Sequence, residues 1–223
     1  ITEENIELDC LGQTTTDCLY FAVGKYHYAG GIMITASHNS AKFNGIKFVK
    51  QKVVPVIISE LKAQYEEIKE DLHYLPLMEV EATRELDLTA EFVLHATTFS
   101  KGTAIQPLKV VVDAGNGMAG LAAKPFFAHY PQVQLIPMYF EPHPDFPHHE
   151  ANPALPANLI DLQNRVVSEQ ADLGVAFDGD GDRVFFVDKS GLVVPGYYIQ
   201  ALLTEYFLKT NKGATVVYDL RYT

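Results

Sequence analysis

Two short stretches carry residues whose types and spacing could do chemistry together. Thr35-Ala-Ser-His-Asn39 places the Ser37 hydroxyl beside His38, directly after the apolar run Gly31–Ile34. Asp178-Gly-Asp-Gly-Asp-Arg183 places a carboxylate at every other position and closes on a guanidinium, directly after the apolar run Leu173–Phe177. In extended backbone, side chains at i, i+2 and i+4 point the same way. Asp178, Asp180 and Asp182 can therefore converge on one point, where hard carboxylates suit Mg²⁺ rather than zinc. Like charges packed so closely are costly without a cation. A serine that carries phosphate needs such a cation to neutralise it. The two stretches together point to phosphoryl transfer through a phosphoserine.

Other chemistries fit less well. Ser37 follows a buried strand, at the sheet edge where α/β proteins place ligands. His38 and Asn39 offer it hydrogen-bonding partners, and Lys42 and Lys47 offer nearby positive charge. A hydrolytic triad is disfavoured because the G-x-S-x-G elbow is missing. An EF-hand would need glycine where Arg183 stands and glutamate where Lys189 stands. An apolar strand followed by Asp-x-Asp also fits aspartate-nucleophile phosphatases of the haloacid dehalogenase type, with Asp178 as nucleophile and Asp180 as acid. That reading leaves Asp182 and the serine loop unexplained. Gly115-Asn-Gly-Met-Ala-Gly120 matches the dinucleotide fingerprint G-x-G-x-x-G, with Glu141 downstream. Asp113 and Ala114 intervene between the valines and the first glycine, so this reads as a tight strand-to-helix turn with close packing. His143, His148 and His149, with Glu141, Asp145 and Glu150, could gather around a metal. The five prolines from Pro142 to Pro156 indicate an irregular loop there instead.

The elements that must position these residues alternate. The first part of the chain reads as a helical turn at Leu19–Val23, strands at Gly31–Thr35 and Gly45–Val49, and a helix from Ser59 to about Leu72. In that helix Ser59 would be the N-cap, with Leu61, Tyr65 and Ile68 on one face. A further helix spans Leu88–Phe99. From Pro107 the pattern is strand Leu108–Val112, helix Ala119–Tyr130, strand Val133–Tyr139, helix Ala157–Ser168, strand Leu173–Phe177 and strand Val184–Val187. A helix at Ile199–Leu208 then leads to a strand at Thr215–Tyr218. Strands alternating with helices imply an α/β fold: consecutive α/β/α domains with mixed, largely parallel sheets.

Bulk properties limit the partners. The net charge of −11 over 223 residues argues against nucleic acid, whose phosphates require a basic face. No apolar run approaches the ~20 residues of a membrane span, and no secretory signal is visible, so a cytoplasmic protein is expected. Cys10 and Cys18 are the two cysteines, with no histidine at zinc-ligand spacing. The start at Ile1 and the stop at Thr223 read as cut ends of a longer protein.

Gly30-Gly-Ile-Met-Ile-Thr-Ala-Ser-His-Asn39, Phe43-Asn-Gly-Ile-Lys47, Val111-Val-Asp-Ala-Gly-Asn-Gly117 and Phe177-Asp-Gly-Asp-Gly-Asp-Arg183 closely resemble the α-D-phosphohexomutases. The nearest branch is the phosphomannomutase/phosphoglucomutases, and the order and separation of the motifs agree as well. The resemblance covers essentially the whole chain, which covers only about half of the family's usual length. It implies four domains around a cleft, of which 1–85 would be the later part of domain 1, 86–192 domain 2 and 193–223 the start of domain 3. It implies that Ser37 is the phosphoserine and that Asp178, Asp180 and Asp182 bind Mg²⁺, with the Ser37 phosphate completing the site. It implies general acid/base work for Lys47, and phosphate and substrate positioning for His38 and Arg183; burial or a neighbouring cation is expected to lower the pKa of Lys47 so that it can take the sugar hydroxyl's proton. Tyr218-Asp-Leu-Arg221 resembles the first strand of domain 3.

The implied reaction interconverts a hexose 1-phosphate and a hexose 6-phosphate of glucose or mannose. Glucose or mannose 1,6-bisphosphate would be its intermediate and activator. Ser40 and Phe43 depart from the family's usual proline and tyrosine, and neither change removes a reacting group. Phosphoglucosamine mutase is the rival within the same chemistry, though it usually carries alanine where Gly181 stands. The rival outside it is a truncated or non-catalytic, Mg²⁺-binding α/β fragment: the intact reacting groups disfavour degeneration, whereas truncation would leave the isolated chain without catalysis.

Overall fold

The computed structural model describes residues 7–72 and 84–218. Its principal sheet is built around β6 (Leu108–Asp113), which runs parallel to β7 (Val133–Met138) on one side and to β8 (Leu173–Phe177) on the other. β9 (Val184–Asp188) returns antiparallel to β8, and β10 (Val193–Val194) closes the edge, giving the order β10-β9-β8-β6-β7. A strand between two parallel neighbours is covered on both faces, so its sequence need not alternate. Val110, Val111 and Val112 accordingly run consecutively and are all buried.

Two helical layers supply that cover. α5 (Ile160–Ser168) packs Leu162 and Val166 against Val111, Ala176 and Val187 on one face. α4 (Ala119–Ala128) packs Ala123 against Val110, Val112 and Val175 on the other. α3 (Thr89–Thr97) lies beside α4. Each fully buried valine or leucine contributes about 1.5–3 kcal/mol of transfer free energy, so this α/β/α sandwich is the rigid base of the molecule.

A second, antiparallel sheet is formed by β2 (Gly30–Ile34), β3 (Ile46–Lys50) and β4 (Val54–Pro55). α1 (Thr16–Lys25) packs on it through Val23, against which a Cβ at Gly31 would stand at 2.8 Å. β1 (Asp9–Cys10) pairs in parallel with β5 (Arg84–Glu85), joining the two ends of this first part of the chain. α2 (Ile58–Leu72) begins one residue before Ser59, so that serine lies inside the helix and is not its N-cap. The backbone N–H groups of Glu60 and Leu61 reach the carbonyl of Ile57 instead. The apolar face of α2 forms as its periodicity predicts, but Tyr65 and Ile68 on it are exposed.

α6 (Gly196–Thr210) also forms where expected and has no buried residue. Thr215–Tyr218 does not form the expected strand. A strand is defined by its ladder, and this segment pairs with none among the described residues, leaving Val217 91% exposed. The rest of Tyr218–Arg221 lies outside the described residues. No described helix is long and apolar enough to cross a membrane.

Candidate active site

β2 and β8 belong to different sheets, yet the loops that leave their C-terminal ends meet. Ser37, three residues past β2, has a φ of 55°, a left-handed conformation that non-glycine residues seldom adopt. The loop sustains it with its own bonds. The Ser37 N–H donates to Thr35 Oγ1 at 2.8 Å, and Asn39 Nδ2 donates to the Ala36 carbonyl at 3.0 Å. Asn39 thus shapes the loop and is not the partner of Ser37 that its position suggested. Lys42 is exposed and forms no bond to Ser37 or the aspartates.

The Ser37 hydroxyl is held from two sides. Its Oγ donates to Asp178 Oδ2 at 3.0 Å and accepts from Arg183 Nη2 at 2.7 Å. His38 Nδ1 stands 3.5 Å from that Oγ and accepts from the same guanidinium. Arg183 is fixed in turn by Asp178, donating from its backbone N to Oδ1 at 3.0 Å and from Nε to Oδ2 at 2.8 Å. Asp178 is fully buried and both its oxygens are engaged. It is therefore not placed to attack a substrate as the aspartate of a haloacid dehalogenase-type phosphatase would.

The loop from Asp178 to Arg183 is the turn of the β8–β9 hairpin. It brings one oxygen from each of Asp178, Asp180 and Asp182 within 4.8 Å of the others, though through a tight turn closed by the Gly181 N–H on the Asp178 carbonyl at 3.0 Å and not through the extended backbone expected. Asp178 and Asp180 are buried and Asp182 stands at the rim. Lys47 on β3 bridges the last two, its Nζ lying 2.6 Å from Asp180 Oδ2 and 2.6 Å from Asp182 Oδ2. Two threonines also reach Asp180 Oδ2: Thr35 Oγ1, from the serine motif itself, at 3.2 Å, and Thr16 Oγ1, which no motif contains, at 2.7 Å. Asp180 Oδ1 is buried and has no hydrogen-bond partner.

Close backbone packing explains the glycines. A Cβ on Gly179 would lie 2.4 Å from the Ser37 carbonyl oxygen, and one on Gly117 would lie 2.5 Å from the carbonyl oxygen of Gly179. Three loops therefore stack backbone on backbone, and the Gly115–Gly120 turn is a packing device. The Gly179 carbonyl accepts from the Met118 N–H at 2.9 Å, and the Gly179 N–H donates to the Ala151 carbonyl at 3.1 Å.

The charges are unequally compensated. Burial pushes the Asp178 carboxyl above its ordinary value; the Arg183 bonds oppose this and the neighbouring carboxylates add to it. Burial acts the same way on Asp180, but hydrogen bonds from Lys47, Thr16 and Thr35 outweigh it and hold that carboxyl low. Burial would lower the pKa of Lys47, but its bonds to Asp180 and Asp182 hold the ammonium above its usual range. The lowered pKa expected for Lys47 is thus not found: in this arrangement it is a firmly protonated counter-ion. An all-oxygen donor set, a buried carboxylate oxygen without a partner and an excess of acid together fit a hard divalent cation.

The histidine-rich loop does not gather around a metal; among the described residues the three aspartates are the only metal-compatible cluster. His149 Nε2 lies 3.0 Å from Asp113 Oδ2 and its Nδ1 lies 2.9 Å from the Glu150 carbonyl. His148 stacks on Tyr139 and bonds Asn116 Oδ1 at 2.7 Å. These bonds fasten the loop to the C-terminal end of β6. A cavity of about 430 Å³ opens beside the serine loop, lined by Thr35, Ser37, Asn39, Phe43, Phe146 and Asp180.

Comparison with known proteins identifies the family. Residues 1–74 match the model of phosphoglucomutase/phosphomannomutase alpha/beta/alpha domain I, and residues 90–191 match that of domain II. The chain is 33% identical over 227 residues to a phosphomannomutase of Escherichia coli strain K12, covering 99% of this chain and 50% of that protein. It is 35% identical over 214 residues to a phosphohexose mutase of Xanthomonas campestris pv. campestris strain ATCC 33913, covering 96% and 47%. Among solved structures, a phosphoglucomutase/phosphomannomutase family protein from Burkholderia thailandensis superposes with a TM-score of 0.80 at 28% identity, covering 94% of this chain and 46% of that one. The chain spans about half the length of the relatives it matches. With both domain models matched in order and the serine and aspartate loops in contact, the chain belongs to the phosphoglucomutase/phosphomannomutase family.

Proposed function

We propose that the protein is a phosphohexomutase that interconverts hexose 1-phosphate and hexose 6-phosphate of glucose or mannose through phosphorylated Ser37. The observation that carries this reading is the Ser37 hydroxyl held by Asp178 and Arg183 at the edge of a three-carboxylate cluster. In the first half-reaction the phosphorus–oxygen bond to Ser37 breaks as a bond to the free sugar hydroxyl forms, giving a hexose 1,6-bisphosphate; the proton lost by that hydroxyl is balanced by the one the released Ser37 oxygen gains. After the bisphosphate turns over, its other phosphate returns to Ser37 and the isomeric monophosphate leaves. The same bisphosphate, supplied from outside, would charge Ser37.

Phosphoryl transfer depends on positioning and on neutralising charge more than on covalent help. Arg183 is placed to hold an oxygen on Ser37, and His38 to orient that guanidinium. Mg²⁺, held by Asp178, Asp180, Asp182 and an oxygen of phosphorylated Ser37, would neutralise the charge on the transferring group. Lys47 supplies positive charge to the same region as an ammonium. To take the proton of the sugar hydroxyl it must first give up the one that Asp180 and Asp182 now stabilise.

A division at residue 85 belongs to the same proposal, marked by the β1–β5 pairing that draws residues 9–10 to residues 84–85; the boundary expected at residue 192 moves past residue 194, because β10 at Val193–Val194 still pairs with β9 in the principal sheet. Action in the cytoplasm is part of the proposal, in keeping with the unpaired thiols of Cys10 and Cys18. The test is a coupled assay for conversion of glucose 1-phosphate and mannose 1-phosphate by the whole protein. Ser37→Ala is expected to lower turnover by about three orders of magnitude or more, the usual scale for loss of a nucleophile. Near-parental turnover in that variant would refute the assignment.

A further inference from the structure

Asp180 is oriented as well as buried. Its Oδ2 receives Thr16 Oγ1 at 2.7 Å, Thr35 Oγ1 at 3.2 Å and Lys47 Nζ at 2.6 Å, while its Oδ1, also out of solvent, receives nothing. An unpartnered buried carboxylate oxygen is costly. All three donors nevertheless meet one oxygen, and the second is left free.

Of the three donors, Thr16 is the fixed one. It is the first residue of α1 and has no exposed surface. Its backbone N–H also donates to the Asp180 carbonyl at 3.0 Å, so it grips that residue at the main chain and the side chain. Its hydroxyl is not needed to cap the helix, because Thr15 does so by accepting from the Cys18 N–H at 3.3 Å. Lys47, by contrast, is a point charge on a flexible stem, and Asp182 shares it. Thr35 divides its oxygen between Asp180 and the Ser37 N–H.

We infer that Thr16 is a positioning residue for the cation site: its hydroxyl turns the Asp180 carboxylate so that Oδ1 is the ligand atom. This inference rests on the reading of the aspartates as metal ligands. It gives the N-terminus of α1 a function that no motif in the sequence signals, reaching a loop 164 residues further along the chain. Groups hydrogen-bonded to metal ligands typically govern affinity by about 10–100-fold, which sets the expected scale.

The test is Mn²⁺ binding, read from the electron paramagnetic resonance signal of the free ion and independent of turnover. The proteins are the parent, Thr16→Val, Thr16→Ser and Asp180→Ala. Thr16→Val is expected to weaken binding by roughly tenfold or more, Thr16→Ser to stay near the parent, and Asp180→Ala to lose the site. Thr16→Ala, which removes the hydroxyl with less bulk, serves in place of the valine variant should that one not fold. A hydroxyl that mattered only to stability would lower the melting temperature without changing the Mn²⁺ affinity of the folded protein. Parental affinity in Thr16→Val alongside loss in Asp180→Ala would overturn the inference alone. Equal loss in Thr16→Ser and Thr16→Val would also overturn it, since the hydroxyl would not be the cause. Parental affinity in Asp180→Ala would overturn the metal reading and the inference with it.

Discussion

His149 faces two acceptors, the carboxylate of Asp113 and the carbonyl of Glu150, so both ring nitrogens are best satisfied as donors. Burial alone would lower its pKa; the bonds to Asp113 and Glu150, aided by the charge of Asp161, raise it instead. A raised folded-state pKa contributes stability that is fully present below the unfolded value of about 6.5 and is lost as pH rises through the folded value. The protein is therefore expected to lose stability as pH climbs above the ordinary histidine range. His149→Gln should flatten that slope in urea titrations at several pH values, and an unchanged slope would remove His149 as its source. At this scale most of the candidate site was readable in sequence. Ser37, Asp178, Asp180, Asp182 and Arg183 sit in motifs whose residue types have few other uses side by side. Thr16 was not readable, because a threonine beside a helix N-cap looks like part of the cap. The protonated state of Lys47 was not readable either, because it depends on two carboxylates more than 130 residues away in sequence.

Among elements, the strands and helices around the site follow from periodicity, and what periodicity cannot give is how their ends meet. The glycines of the Gly115–Gly120 turn illustrate this. Their spacing permits a nucleotide fingerprint, and only the contact of Gly117 with Gly179, and of Gly179 with Ser37, shows them to be a backing for the serine and aspartate loops. Gly179→Ala is expected to displace the Ser37 loop and to cost about 1–3 kcal/mol of stability, the usual range for overpacking. Turnover should fall by more than that destabilisation explains, as judged by melting temperature and activity measured on the same preparation. Parental turnover in Gly179→Ala would show that the loops do not depend on this contact. The misplaced cap at Ser59 and the missing strand at Thr215–Tyr218 have a related cause. The first turn of α2 closes on the Ile57 carbonyl, which places Ser59 inside the helix, and a strand-like sequence becomes a strand only when a neighbour supplies the ladder.

At the scale of the whole molecule, the candidate site belongs to no single sheet. Ser37 and Lys47 come from the antiparallel sheet of the first part of the chain, Asp178 to Arg183 from the hairpin of the second, and Thr16 from the helix beside the first. The proposed phosphoryl transfer would require that the two parts keep these loops in register while a sugar phosphate reorients beside them. The central claim is that Ser37 carries the phosphate. The most direct measurement is phosphopeptide mass spectrometry on the whole protein, before and after incubation with glucose 1,6-bisphosphate and Mg²⁺, with Ser37→Ala in parallel. Phosphate on the Ser37 peptide of the parent after incubation, discharged by added glucose 1-phosphate or mannose 1-phosphate and absent from the variant, is the expected result. An active protein whose Ser37 peptide stays free of phosphate throughout would contradict it.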